Sequence, residues 1–133
     1  LVDYVRVYQA DSYKGMANTA EKMIESGIEV KMLIESITLV EKNGKVSGTV
    51  LIVDEFGDPV KNVSLEMVWS GSAIEKKEFT KKTGKDGTVD RINSPKINQD
   101  GQVYLCVQKI IKDNYVYDFA NSASDCESVD VTN

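Results

Sequence analysis

Histidine is absent from this chain and cysteine occurs twice, at Cys106 and Cys126, so the chemistry open to it is narrow. Imidazole is the commonest general base near neutral pH and the commonest transition-metal ligand. Without it neither a Ser-His-Asp nor a Cys-His triad can be assembled, and a catalytic zinc site loses its usual ligand. The two cysteines lie too far apart for a CxxC redox motif. They either pair or remain two buried thiols. A bridge closing a loop of about 20 residues contributes roughly 3 kcal/mol in the chain-entropy account. No cofactor is expected.

Carboxylates gather in two loops: Asp54, Glu55 and Asp58 share one turn, and Asp118 and Asp125, with Asn121 between them, share another. Hard oxygen ligands of this kind bind calcium, but neither loop has the alternating spacing of an EF-hand. Acidic turns are ordinary in β-sandwiches, and neither loop is assigned a metal ion. Glycoside hydrolysis needs two carboxyl groups about 5–9.5 Å apart across a cleft, and no spacing here sets up such a pair. No catalytic residue is assigned. Aromatic side chains offer one candidate binding surface. Tyr115 and Tyr117 fall on one face of a short extended run, with Phe119 beyond. Large apolar ring faces of this kind can stack on the C–H faces of sugars, and Asn114, Asp118 and Asn121 would serve the hydroxyls. Tyr115, Tyr117 and Phe119 have a plainer alternative role, capping the open end of a core, and the sequence favours it.

The elements that must position these groups are strands. A chain of 133 residues suits one domain with an appendage, and a hydrophobic share of 41% is enough for a single core. With 28% charged residues and a net charge of −5, neither disorder nor binding to nucleic acid or an anionic membrane is expected. No apolar run approaches the ~20 residues of a membrane span. The chain begins without Met and without a leader, which predicts a piece of a longer precursor.

From Glu29 onward the hydrophobic period is two, with turn signals at the spacing of a sandwich. Lys31–Glu41 and Lys45–Val53 read as strands joined by an Asn43-Gly44 hairpin turn. Val46, Thr49, Leu51 and Val53 are the core candidates of the second. Val63, Leu65, Met67 and Trp69 share one face of a third strand, which sets Trp69 at the centre of the core. The charge-rich run Ile74–Lys82 reads as a solvated edge guarded against edge-to-edge pairing. Val89–Ile92 is a short strand. Val103, Leu105 and Val107 point to one side of the next, with Tyr104 and Cys106 on the other. Tyr115–Tyr117 returns, and Glu127–Thr132 closes the domain. Ahead of all this, Met16, Ala20, Met23 and Ile24 fall on one helical face, and Gly27 is a natural stop. A short helix over Thr19–Ser26 is the expectation.

Two resemblances add to this pattern. The Asp100-Gly101 turn followed by Val103, Tyr104, Leu105 and Cys106 is similar to the sixth strand of an immunoglobulin-type sandwich, which carries a tyrosine corner. Val53, Asp54, Gly57, Pro59, Val60, Val63, Leu65, Trp69 to Gly71, Thr80, Gly84, Asp86 and Gly87 extend that likeness over residues 30 to 132, and it resembles the immunoglobulin-like domains of bacterial secreted enzymes and adhesins. The usual partner cysteine ahead of Trp69 is missing. The run Leu1-Val2-Asp3-Tyr4-Val5-Arg6-Val7-Tyr8-Gln9 resembles the closing strand of family 16 glycoside hydrolases of the laminarinase, lichenase and agarase type.

The resemblances imply an all-β fold, an immunoglobulin-like β-sandwich of about seven strands over residues 29–133. A partly helical linker would span 10–28, and residues 1–9 would be one strand left over from an upstream hydrolase domain. They imply a secreted or cell-surface setting and a Cys106–Cys126 disulfide. The function they imply is a non-catalytic accessory module acting with the catalytic domain of its own polypeptide on a polysaccharide such as a β-glucan. A carbohydrate-binding module using Tyr115, Tyr117 and Phe119, and a stalk or adhesion domain, are the alternatives. A stalk predicts tandem copies, and the sequence has no internal repeat.

Overall fold

A computed structural model describes residues 20–133. The expectations for Leu1–Gln9 and for the start of the linker lie outside the described residues. Residues 20–25 are helical, and Gly27 follows with φ +79°, the left-handed stop its type foretold. Eight strands then follow: β1 (Val30–Lys42), β2 (Lys45–Asp54), β3 (Ser64–Ser70), β4 (Lys77–Lys82), β5 (Thr88–Asn93), β6 (Gly101–Ile111), β7 (Tyr115–Tyr117) and β8 (Cys126–Val131). They form two four-stranded sheets, ordered β5-β2-β1-β7 and β4-β3-β6-β8. All neighbours are antiparallel except β1 and β7, which run parallel over Val30–Met32 and Tyr115–Tyr117.

The domain is thus an all-β sandwich with the expected strand alternation. Asn43 (φ 54°) and Gly44 (φ 78°) both have positive φ and are closed by the Lys42–Lys45 pair, the geometry a two-residue hairpin selects. Leu65, Met67 and Trp69 on β3 and Val103, Leu105 and Val107 on β6 are all buried, and Trp69 is fully so. The β4 strand pairs only with β3 and lies at its sheet's edge, as its charges foretold.

Two details depart from the sequence reading. On β2 the core face is Val46, Gly48, Val50 and Ile52, whereas Thr49 and Leu51 are only half-buried. A regular strand cannot turn Val46 and Thr49 to the same side. Gly48 hides the true phase because it carries no side chain. A Cβ there would stand 2.9 Å from Leu105 Cδ2 and 3.2 Å from Leu39 Cδ2, so the glycine is what lets the opposite sheet close down. The second departure concerns Tyr104. Its hydroxyl donates to Gln102 Oε1 at 2.6 Å rather than to a backbone carbonyl across the corner. Tyr104 stands on the outer face of β6, next to β8, and so does not form a tyrosine corner.

Register shifts bring residues of opposite parity to one core. A bulge between Ile34 and Ser36 on β1 lets both Ile34 and Ile37 face inward. Another, where Glu66 and Met67 on β3 oppose Lys109 and Val107, leaves Gln108 unpaired and returns Ile110 to the core. Gly71 serves a closer approach. It lies at φ +121°, and a Cβ there would collide with the Gln102 carbonyl oxygen, so the turn after Trp69 admits only glycine.

Candidate functional site

The strand β6 positions Cys106 directly opposite Cys126, the first residue of β8, and the two form a disulfide with Cα atoms 4.1 Å apart. An immunoglobulin-type bond staples the two sheets across the core. This one lies within a single sheet and closes the connection that carries the candidate aromatic residues. Disulfides persist in oxidising compartments.

That connection leaves β6 at Lys112, makes the short strand β7, takes a single 3-10 turn over Phe119–Asn121 and returns at Cys126. Backbone bonds to β1 hold it: Asp118 N donates to Met32 O (2.7 Å) and Ala123 N to Ile34 O (3.0 Å). Ser122 Oγ accepts from Ile34 N (3.0 Å) and donates to Asp118 O (3.0 Å). The Asp118 carboxylate caps the 3-10 turn, accepting from Asn121 N (3.3 Å) and Asn121 Nδ2 (2.7 Å). Asp118 and Asn121, the residues that would serve sugar hydroxyls, are therefore bonded to each other.

The three aromatics are close together but do not form one flat surface. Tyr115 and Tyr117 pack against the core cluster, and the Tyr117 hydroxyl is buried with no partner among the described residues. Phe119 is 66% exposed. Its ring centroid is 6.1 Å from that of Tyr117, with the planes at 78°, an edge-on contact. Lys112 Nζ lies 5.5 Å from the Tyr115 ring centroid, within cation–π range, and donates to Lys61 O. Burial, and then the nearby Lys61 charge, lowers the Lys112 ammonium pKa. Burial, followed by the charges of Asp54 and Glu21, raises that of the Tyr115 phenol.

Next to Tyr115 opens a cleft of ≈ 400 Å³ whose walls include Asp54, Asp58, Lys61, Lys85 and Lys112. The acidic turn forms part of it. Asp54 Oδ1 accepts from Phe56 N (2.8 Å) and Asp58 N (3.0 Å), and Asp54 N donates to Asp58 O (2.8 Å). Asp54 thus closes its own turn, the ordinary use of an Asp at this position. Burial raises its pKa; the backbone N–H donors of Asp58 and Phe56 oppose that rise, and the charges of Asp58 and Glu55 add to it. Asp58 is also buried, and its Oδ2 has no partner among the described residues. Glu55 points into solvent. Among the described residues no group of three or more Asp, Glu or Cys side chains converges on a common point.

The sequence marked this loop through its aromatics. It could not mark the cleft, because Lys61, Lys85, Lys112 and Asp54 are brought together by sheet pairing rather than by spacing. Comparison of the chain with family models, curated proteins and solved structures yields no match.

Proposed function

We propose that this chain is a non-catalytic accessory module of a secreted glycoside hydrolase, which spaces or stabilises the catalytic domain of the same polypeptide on a polysaccharide such as a β-glucan. One observation carries the proposal: the two carboxylates best placed in these loops, Asp54 and Asp118, are engaged in holding turns. Asp54 closes the β2–β3 turn and Asp118 caps the 3-10 turn, so neither is left free to act on a bond. The resemblance of Leu1–Gln9 to a hydrolase closing strand supplies the parent, and the disulfide fits a secreted setting.

A carbohydrate-binding module is the second reading. Phe119 favours it as an exposed ring next to the Asp118–Asn121 pair; the half-burial of Tyr115 and Tyr117 against the core weighs against it. A surface stalk has no specific observation in its favour. Incubation of the purified chain with laminarin, lichenan and agarose tests the proposal. No reducing sugar should appear above a heat-killed control, and its appearance would overturn the accessory role. Retention on insoluble glycan that disappears in Phe119→Ala would put sugar binding first. In the parent polypeptide, removal of residues 29–133 should leave turnover of a soluble substrate unchanged and hasten heat inactivation.

A further inference from the structure

The strands β4 and β5 are edges of opposite sheets, and between them lies a cleft of ≈ 220 Å³ lined by Lys77, Phe79, Lys81, Arg91, Ile92 and Asn93. Its walls carry three cations and no carboxylate, in a chain whose net charge is −5. Lys77, Phe79 and Lys81 stand opposite Trp69, Met67 and Leu65 in the β3–β4 ladder. Residues opposite each other in a ladder project from the same face, so all three point toward the space between the sheets. Phe79 is half-buried against the core cluster and forms an apolar floor between the two lysines.

Inward-pointing lysines on an edge strand also guard against edge-to-edge pairing. That role explains β4, but it does not explain Arg91 on the other sheet. Arg91 has φ 53°, in the left-handed region that non-glycine residues rarely adopt. It sits where the β2–β5 register shifts between Gly48 and Val50. Bulges of this kind re-aim side chains, and left-handed non-glycine residues cluster at binding sites. Here the bulge brings a guanidinium into the same cleft as the two β4 lysines.

We propose that this cleft binds the oxyanion, carboxylate or sulfate, of one ring of an acidic polysaccharide. A guanidinium presents a planar fork that matches such a group, and two flanking ammonium groups add point charges. The Phe79 ring gives the apolar face of the sugar a surface, and the Asn93 carboxamide supplies a donor and an acceptor for a hydroxyl. The volume lies below the roughly 300–1,000 Å³ of drug-sized pockets, which limits occupancy to a single ring. That the oxyanion belongs to a glycan rests on the accessory-module proposal, with an acidic polysaccharide in place of the neutral β-glucan given there as the example, whereas the cleft itself selects only for the anion.

The test uses the whole 133-residue chain in low salt, titrated with a trigalacturonate, a sulfated trisaccharide and neutral laminaritriose while amide chemical shifts are recorded. Shifts confined to β4 and β5 with either charged sugar, and absent with the neutral one, are expected. They should fade as salt rises. Arg91→Gly is the decisive variant because glycine adopts φ 53° without strain, so the fold is kept while the fork is removed. It should weaken binding about tenfold or more, as loss of a charge-assisted pair does. The exposed hairpin lysines serve as the control, and Lys42→Gln with Lys45→Gln should leave binding unchanged. Equal response to the neutral sugar, no response to any, or binding indifferent to Arg91→Gly would overturn the proposal. Because no catalytic domain is involved, failure here leaves the accessory role standing, and heat inactivation of the parent tests that role separately.

Discussion

The centre of the β3–β6 pairing and the connection from β6 to β8 are held by different forces. In the first, Leu65, Met67 and Trp69 lie beside Val103, Leu105 and Val107 in one sheet, all buried. Burial of apolar area, about 25 cal/mol per Å², maintains it. In the second, the 3-10 turn has no buried residue and β7 is only three residues long. That segment is tied rather than packed: a disulfide at its end, hydroxyl and carboxylate bonds along its length, and two half-buried tyrosines as anchors. A region held by a few directional bonds can change its sequence and shape while the packed centre remains intact. Its exposed ring, Phe119, stands there without disturbing that centre.

The contrast breaks most visibly at Trp69. Trp69→Ala empties a large, fully buried site and should lower stability by about 3–5 kcal/mol, read from denaturant midpoints. Trp69→Phe should cost less, since the buried indole N–H has no partner to lose. If iodide quenched the Trp69 fluorescence as readily as that of free indole, the packed centre would be misplaced.

Removal of the tie comes next in size. The Cys106→Ala, Cys126→Ala double variant should lose roughly 3 kcal/mol, the chain-entropy value for a loop of about 20 residues. Amide exchange should rise first over residues 112–125 and leave β3 protected. Thiol titration of the unfolded, unreduced protein should find none free. Uniform loss of protection would show that the two regions are one cooperative unit.

Asp54 sharpens the comparison at the cleft that adjoins the connection. Asp54→Ala strands two N–H donors and should cost about 1–3 kcal/mol, whereas Asp54→Asn keeps the acceptor and removes a buried charge. The folded-state pKa of Asp54 is raised above its ordinary 3.8. Its contribution is therefore fully present below the unfolded value and is lost as pH rises through the folded one. The stability of the wild type relative to Asp54→Asn should fall over that window, measured by thermal midpoints at matched pH. A rise would reverse the assignment of burial as the main cause.

The smallest effect is expected at Ser122. Ser122→Ala removes the acceptor for Ile34 N and should cost about 1 kcal/mol. Faster exchange should be confined to the Ile34 amide and its neighbours. No change there would mean that backbone bonds alone tie the connection.

Local chemistry was enough to foretell the strands and their turns. Asn43-Gly44 dictates a tight hairpin wherever it falls between alternating runs. The period of two in Val63–Trp69 and Val103–Val107 names the core face, because a strand has only two sides. Two cysteines and no histidine narrowed the chemistry before any contact was known.

Tertiary structure alone decided the rest. The phase of β2 depended on Gly48, whose missing side chain gives no hydrophobic signal and whose value lies in the approach of Leu105 and Leu39. Alternation already put Tyr104 on the outer side of β6, but that its hydroxyl bonds Gln102 Oε1 rather than a backbone carbonyl, and hence the absence of a tyrosine corner, could not be read from spacing. The clustering of Lys77, Lys81 and Arg91 needed two edge strands of different sheets to face each other. Spacing along a chain fixes which side of a strand a residue occupies. Which other strand it meets is set by pairing across tens of residues, where sequence periodicity carries no information.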